Sequence, residues 1–475
     1  MNNKPAKYSQ VFPIGETRGL SYASLLKARR KKHLKALDSF ALFAGVQREP
    51  GSENLWIMSA LKIYQEPSLM YLTGLNQTNL ILVLNPQHPE KEVLFIPEKD
   101  PKKEFWDGFR FGWVKDSPQQ KELQLLTQLT GIAVIKPLSE FNKYFRSLCV
   151  TSSKNYCYTF FHEYKMTDKA RTIKSIKTDH NWKFAEGLKK SVKSQKAISS
   201  RKFRVKPWAS EHYHLRLPLD DYQVLNVKKA TAHTNQAYQT TLKKLKTFKT
   251  EHDLANFLEF SLLQNNSFGL SFPSIIACGK NATVLHYLKN DESLLQNKLV
   301  LMDFGARWGT MHADISRTLP VSGSFNPLQK LLYQIVLEAT KFNQKNARAG
   351  VTINELNQKV WDFIEKKLET RFLKKGGVAQ RDYTQKPHGV SHLMGEQEHD
   401  GDPFRLYAEM PLQVGWQISN EPGLYGHFSI ELEGIQYSEY IGIRIEDNLL
   451  IRKNDSLNLS RSIPKEIKAI EKLIG

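Results

Sequence analysis

Cysteine is nearly absent: Cys149, Cys157 and Cys278 are the three in 475 residues. So few, and an odd number, exclude a disulfide scaffold and any CxxC-type zinc module, and they fit a reducing compartment. Long apolar runs are missing too. None approaches the ~18 residues of a membrane span, so no membrane is expected among the partners. Met1 to Arg30 is polar and basic and lacks the apolar stretch and small-residue cleavage site of a secretory signal. The expected location is therefore cytoplasmic. Acidic residues are in deficit, 48 against 68 Lys+Arg, for a net charge of +20. Between Lys165 and Lys206 the cationic excess alone is +11. That stretch is poor in aromatics and carries no nucleic-acid signature. It fits a patch for a polyanion or a solvated helix face and linker. Charge by itself reports solubility and steering, so nucleic acid is not the expected partner. Sequence repeats of roughly 20–50 residues are also absent, which excludes a solenoid.

What is present is enough to fold. At ~150 residues per domain the length suggests two or three domains. The 11% aromatic content argues against a disordered chain. Residues 22–38 read as a basic helix and Phe40–Val46 as a strand. Tyr71–Gly74 and Leu80–Leu84 read as a strand-rich block that forms a hairpin with Glu92–Ile96. Helices follow at 122–131 and 138–148, giving an α/β N-terminal domain over 22–160. A basic linker is expected at 161–210, with Pro207 and Pro218 punctuating the connection to a second domain at 211–475. There the patterns predict helices at 221–245, at 252–263 with Thr250 as N-cap, at 327–347, and at 352–372 with Thr352 as cap. Strands are predicted at 275–277, 283–287, 299–304 and 311–319, and within 411–451. Strand pairs with long helices point to an α+β domain.

The most informative segment is Leu299–Pro320. A hairpin reversing at Trp308-Gly309 would set Asp303 directly opposite Asp314, with Cβ atoms ~4.5–5.5 Å apart. Carboxylates that close repel unless they share a proton or hold cations between them. A two-metal site would account for the pair; so would an ordinary hairpin with two solvent-facing acids. Downstream stand His388, His392 and His399, then Glu421 before Pro422-Gly423, and Glu446 after the strand Ile441–Ile445. His286 follows the apolar run Thr283–Leu285. Each has a structural reading of its own. Together they offer carboxylate and imidazole ligands without a thiolate, a set that suits divalent Mn, Zn, Co or Fe.

The segments Val284–Tyr287, Asp303–Gly305, Asp314–Thr318, His388–His392, Glu421–Tyr425 and Arg444–Asp447 resemble, in order and spacing, the M24 metallopeptidases. Their "pita-bread" fold is shared by methionine aminopeptidase, aminopeptidase P, prolidase and creatinase. Tyr71–Gly74, Leu80–Leu84, Val93–Phe95 and Glu104–Gly108 are similar to the creatinase/aminopeptidase P N-terminal domain. The combination looks most like the Xaa-Pro aminopeptidase type. The resemblance implies a pita-bread catalytic domain behind a smaller α/β creatinase-like domain. It implies two divalent ions, usually Mn2+, held by Asp303, Asp314, His392, Glu421 and Glu446, with Asp314 and Glu446 bridging. Arg444 would orient Asp303, and Glu421 would shuttle the proton. His286 and His399 would hydrogen-bond the substrate, and His388 would line the pocket. A metal-bridging hydroxide would cleave the bond before proline in short peptides with an Xaa-Pro N-terminus. A homo-oligomer, dimer or tetramer, is expected from the family. Prolidase and a non-catalytic pita-bread binding protein remain as alternatives.

Overall fold

A computed structural model of the chain describes residues 11–46, 65–115, 120–161, 179–264, 267–381, 383, 386–403 and 405–475. It divides into two compact units, Met1–Arg216 and Leu217–Gly475.

In the first unit the order is α1 (Tyr22–Ala36), β1 (Ala41–Ala44), α2 (Pro67–Thr73), β2 (Ile81–Leu84), β3 (Glu92–Ile96), α3 (Pro101–Asp107), α4 (Gln120–Thr130), β4 (Val134–Pro137), α5 (Phe141–Thr151), β5 (Tyr156–Thr159), α6 (His180–Ser194), α7 (Lys196–Ser199), β6 (Arg204–Pro207) and α8 (Ala209–Arg216). The strands form one mixed sheet in the order β4-β3-β2-β1-β5-β6. The expected hairpin is there, antiparallel, with Leu82 opposite Leu94. Tyr71 to Thr73 are helical, not extended. Pro67 at the first helical position and the Glu66 carboxylate, capping the Leu69 N–H, start a helix that outweighs the strand preference of so short a run. Residues 179–210, expected as a basic linker, instead belong to this unit. Ala185, Leu188 and Val192 lie at helical spacing and are buried beneath the lysines of α6, and β6 pairs in parallel with β5. The lysine-rich surface hid an apolar stripe. Residues 162–178 of the basic stretch lie outside those described.

In the second unit α9 (Asp221–Leu242) and α10 (Glu251–Leu262) precede β7 (Ile275–Cys278), β8 (Leu299–Phe304), β9 (Arg307–Trp308), β10 (Met311–His312) and β11 (Ile315–Pro320). Then come α11 (Pro327–Asn346), α12 (Ile353–Arg371), β12 (Val378–Gln380), β13 (Leu393–Met394), β14 (Gln417–Asn420), β15 (Gly423–Leu432), β16 (Ile435–Arg444), β17 (Asp447–Ile451), β18 (Ser456–Asn458) and α13 (Ile467–Ile474). Thr250 and Thr352 cap α10 and α12 through full capping boxes. The sheets run β11-β8-β7, β12-β15-β16 and β13-β14-β17-β18. Val300, Met302 and Phe304 of β8 join the large core made with α9 to α12. Leu301 belongs to a second apolar cluster with Ile275, Ala277 and Tyr425. Because strand side chains alternate, Asp303 shares the face of Leu301, away from that large core. Residues 283–287, expected as a strand, form the end of a 3-10 turn (Gly279–Thr283) and an irregular stretch. Among the described residues no helix is long and apolar enough to cross a membrane.

Candidate metal centre

The hairpin that carries both aspartates turns one residue later than expected. Trp308 pairs with Met311, so Gly309-Thr310 forms the turn. Gly309 takes φ +58 at the first central position, the place a type II′ hairpin turn reserves for glycine. Asp303 therefore faces Ser316, and Asp314 sits diagonally, just before β11. The pairing has slipped by two residues. An even slip keeps every side chain on its face, so the aspartates still converge.

They converge on Glu446. Ligand-capable atoms of Asp303, Asp314 and Glu446 all lie within 4.8 Å of one another, as do those of His392, Glu421 and Glu446 and those of Asp314, His392 and His399. Three segments deliver these groups. Asp303 and Asp314 come from the β8–β11 arms. His392 and Glu421 stand at the start of β13 and the end of β14, where the Glu421 N–H donates to Val390 O. Glu446 joins β16 to β17 and donates its N–H to Ser316 O at 3.0 Å.

Neighbouring donors choose which oxygen of each carboxylate is left over. Arg444 Nη2 donates to Asp303 Oδ2 at 2.6 Å, and Arg444 Nε to Ser316 Oγ at 2.8 Å. Ser316 Oγ in turn donates to Glu446 Oε2 at 2.8 Å. The opposite oxygens, Asp303 Oδ1 and Glu446 Oε1, are buried with no hydrogen-bond partner. From β17, Asn448 pins the backbone of Asp314, accepting from its N–H at 3.2 Å and donating to its carbonyl at 2.8 Å.

His392 adds the most telling contact. Its Nδ1 lies 3.1 Å from the Leu393 carbonyl, which can only accept, so Nδ1 carries the proton. Burial, with the nearby His399 adding to it, holds the imidazole neutral, its pKa well below the usual value. The Nε2 lone pair then faces Asp314 Oδ2 at 3.5 Å and Glu421 Oε1 at 3.6 Å. A lone pair and two carboxylate oxygens meet with no donor between them. Electrostatics tolerates that with a proton or a cation in the gap.

The titration of the acids reports the same crowding. Asp314 and Glu446 are pushed well above the ordinary carboxylate range, first by burial and then by each other's neighbours, Glu446 for Asp314 and Glu421 for Glu446. Burial raises Glu421 to about 7, while Arg444 pulls it down. The donor set, hard oxygens plus one imidazole, with unpartnered buried oxygens aimed inward, fits divalent cations.

Around this centre, His388 is neutral, burial lowering it to about 4. Its Nδ1 donates to Gly389 O and its Nε2 accepts from Tyr425 OH, both at 2.9 Å. Its Nδ1 lies 3.7 Å from Glu421 Oε2. The His399 ring stacks on His392 with centroids 3.8 Å apart and planes 12° apart, and the hydrogen bond it donates to Glu398 raises its pKa. His286 is exposed and close enough to His388 for its charge to count there. Ser316, Ser419 and Tyr425 escaped the reading of the sequence. Ser419 Oγ accepts the His392 N–H at 2.9 Å and donates to Glu421 Oε1 at 3.2 Å. Its signal was weak but present: it lies two residues before Glu421 along the same strand, as Ser316 lies two after Asp314.

The chain is similar to known proteins over most of its length. The sequence profile of metallopeptidase family M24 matches residues 226–453, and that of the aminopeptidase P N-terminal domain matches 26–158. An Xaa-Pro aminopeptidase of Haemophilus influenzae is 28% identical over 418 residues, 86% of this chain and 88% of that protein. The mitochondrial intermediate cleaving peptidase 55 of Arabidopsis thaliana is 27% identical over 478 residues, 99% of this chain and 87% of its own. The solved structure of E. coli aminopeptidase P with the inhibitor Pro-Leu superposes with a TM-score of 0.74 at 24% identity, covering 95% of this chain and 98% of that one. The chain belongs to metallopeptidase family M24, a pita-bread catalytic domain preceded by an aminopeptidase P N-terminal domain.

Proposed function

We propose that the protein is a dinuclear-metal Xaa-Pro aminopeptidase, releasing the first residue from short peptides with proline in second position. The observation that carries this reading is the meeting of the His392 lone pair with the Asp314 and Glu421 carboxylate oxygens. Asp303, Asp314, His392, Glu421 and Glu446 would hold the ions, Asp314 and Glu446 in common. Manganese is the first metal to test, with zinc, cobalt and iron compatible with the same donors. When bound, the ions supply Lewis-acid polarisation of the scissile carbonyl and a water nucleophile of lowered pKa. The residues do the rest. Glu421 takes a proton from the attacking water and hands it to the departing proline nitrogen. His286 and His399 donate to the substrate and to the charge that develops on its carbonyl oxygen. Arg444 keeps Asp303 oriented through its contact with Oδ2, the kind of outer contact that tunes a metal site. Proline matters because its nitrogen brings no N–H to the scissile amide. The three free, buried cysteines support a reducing compartment.

The direct test uses chelator-stripped protein with and without Mn2+, on an Xaa-Pro-Xaa tripeptide beside an Xaa-Pro dipeptide. Mn-dependent release of the first residue from the tripeptide is expected. Cleavage of the dipeptide alone would make the enzyme a prolidase. No cleavage with any of the named metals would leave a binding protein.

His399→Ala is expected to retain the full metal content while turnover falls about 10²–10³-fold, the usual cost of one donor to developing charge. Metal analysis by mass spectrometry checks it. Loss of metal would make His399 a ligand through its grouping with Asp314 and His392.

Stability should depend on pH in a recognisable way. A carboxyl whose pKa is raised on folding binds its proton more tightly folded than unfolded. Its contribution is present below the unfolded value and is lost as pH rises to the folded one, here from 4.5 to about 7 for Glu421. Chelated protein should therefore lose stability across that window. Mn2+ should restore it by an increment that grows with pH, ~2.7 kcal/mol at a hundredfold excess over Kd. Thermal melts at pH 5.5 and 7.5, with and without Mn2+, measure that increment. An increment that shrinks toward high pH would contradict the charge assignment.

A further inference from the structure

We infer that Glu251 is a positioning residue that sets the place of His286 beside the metal centre; the inference rests on the aminopeptidase reading. Glu251 opens α10 and its side chain is fully buried. Its carboxylate accepts two hydrogen bonds on each oxygen. Oε1 accepts from Cys278 N at 2.6 Å and Asn281 Nδ2 at 3.0 Å. Oε2 accepts from Glu292 N at 3.0 Å and, at 2.9 Å, from the Tyr287 OH, which it shares with Asp291 Oδ1 at 3.0 Å. That fills the acceptor capacity of a carboxylate. The donors follow the excursion between β7 and β8: one is the last residue of β7, one sits in the 3-10 turn, one directly after His286 and one in the second half. The stretch that carries His286 has no strand partner. The Glu251 carboxylate ties it in place, alongside the Thr250–Ser293 bridge and the Asn290 side chain, which meets Ile276 N and Ser274 O.

The clasp reaches the site by packing. Tyr287 and Ala282 lie in the small apolar cluster with Ile275, Leu301 and Tyr425. Tyr425 OH is the group that donates to His388. Ala282 O rests on Gly442 of β16, where an added Cβ would come within 2.0 Å of it. The excursion is thus tied on one side to Glu251 and seated on the other against the strand that ends in Arg444. His286 lies between the tie points Asn281 and Tyr287. A carboxylate is needed because an amide presents one acceptor and one donor. Gln at this place would aim an NH2 at a backbone N–H that cannot accept, that of Cys278 or that of Glu292.

The test is a double-mutant cycle on the Mn-loaded, full-length protein with the tripeptide substrate. Glu251→Gln, and the milder Tyr287→Phe, should keep the Mn content. Glu251→Gln should lower kcat/KM by ~10–100-fold, the scale of a misplaced group near the reaction. His286→Ala should cost a similar factor, and Glu251→Gln combined with His286→Ala should be no worse than His286→Ala alone. Glu251→Asp should recover part of the loss. Amide hydrogen exchange gives a readout that needs no turnover. Peptides covering 278–292 should exchange at least ~10-fold faster in Glu251→Gln, with those carrying Asp303, Glu421 and Glu446 unchanged. Additive losses in the cycle, loss of Mn, or unchanged exchange over 278–292 would each overturn the proposal. A wild type that cleaves nothing would overturn the aminopeptidase reading, and the exchange measurement would still decide whether Glu251 clasps the excursion.

Discussion

Asp314→Ala is expected to lose its bound divalent ions and at least ~10⁴-fold in kcat/KM, about 5.5 kcal/mol of transition-state stabilisation. Glu446→Ala should match it. The reason is the position of both groups. Asp314 and Glu446 belong together with Asp303 in one cluster of ligand-capable atoms, and each also belongs to a cluster with His392. Removing either carboxylate strips a shared charge from both halves of the centre. The metal-free proteins should respond in the opposite sense. Asp314→Asn relieves repulsion among buried acids that burial and Glu446 already push toward protonation. Its chelated form should be more stable than chelated wild type, by ~1–2 kcal/mol. Metal content by mass spectrometry, tripeptide kinetics and melts in chelator measure the three effects. Retained activity in Glu446→Ala would sink the two-metal reading. A less stable chelated Asp314→Asn would show that the aspartate is held by hydrogen bonds rather than crowded by charge.

The second large effect is structural. Arg317→Met should destabilise the catalytic unit by ~3–5 kcal/mol, the cost of breaking one side of a buried ion pair. At ~2–4 °C per kcal/mol for a domain of this size, the melting point should fall by roughly 10 °C. Arg317 is fully buried. It donates to Ser316 O at 2.9 Å, to Ile463 O and Pro464 O at 3.0 Å, and to Asp447 Oδ1 at 2.9 Å. Asp447 is equally buried and also binds Lys465 and, at 2.9 Å, Asn458 Nδ2. Those cations hold its carboxyl well below the ordinary range. A methionine would leave Asp447 with one cation and several carbonyls without a donor. Since Arg317 also donates to the Glu446 carbonyl, Mn affinity should weaken alongside. Melts in saturating Mn2+ and in chelator separate the two. A loss under ~1 kcal/mol in both would show that water or Lys465 takes over the role.

What could be read from the chain alone was local or periodic. Thr250 and Thr352 were legible as caps because a capping box is written within four residues. The aspartate pair was legible because two strands around a glycine turn limit where side chains go. The turn was misplaced by one residue, and parity rescued the conclusion. The failures were not local. Tyr71–Thr73 carry strand-favouring residues, yet Pro67 and Glu66 set a helix upstream of them. Residues 283–287 have strand composition, but the donors around them turn to Glu251, far away in sequence, so no ladder forms. The helix at 180–194 was masked by its lysines, although its buried residues keep helical spacing.

The sequence by itself determined which ligand-capable groups are present and in what order: acids and imidazoles without thiolates, with a strand alternation that turns Asp303 away from the large core. That information is carried by residue type and period, which need no knowledge of distant contacts. Tertiary structure alone decided which atom of each residue faces the centre. Arg444 and Ser316 occupy one oxygen each of Asp303 and Glu446 and leave the other bare. The Leu393 carbonyl fixes the His392 proton on Nδ1 and turns the Nε2 lone pair toward Asp314 and Glu421. The Leu393 carbonyl is a neighbour in the chain, but the other partners lie up to 141 positions away, and no local pattern encodes where they meet.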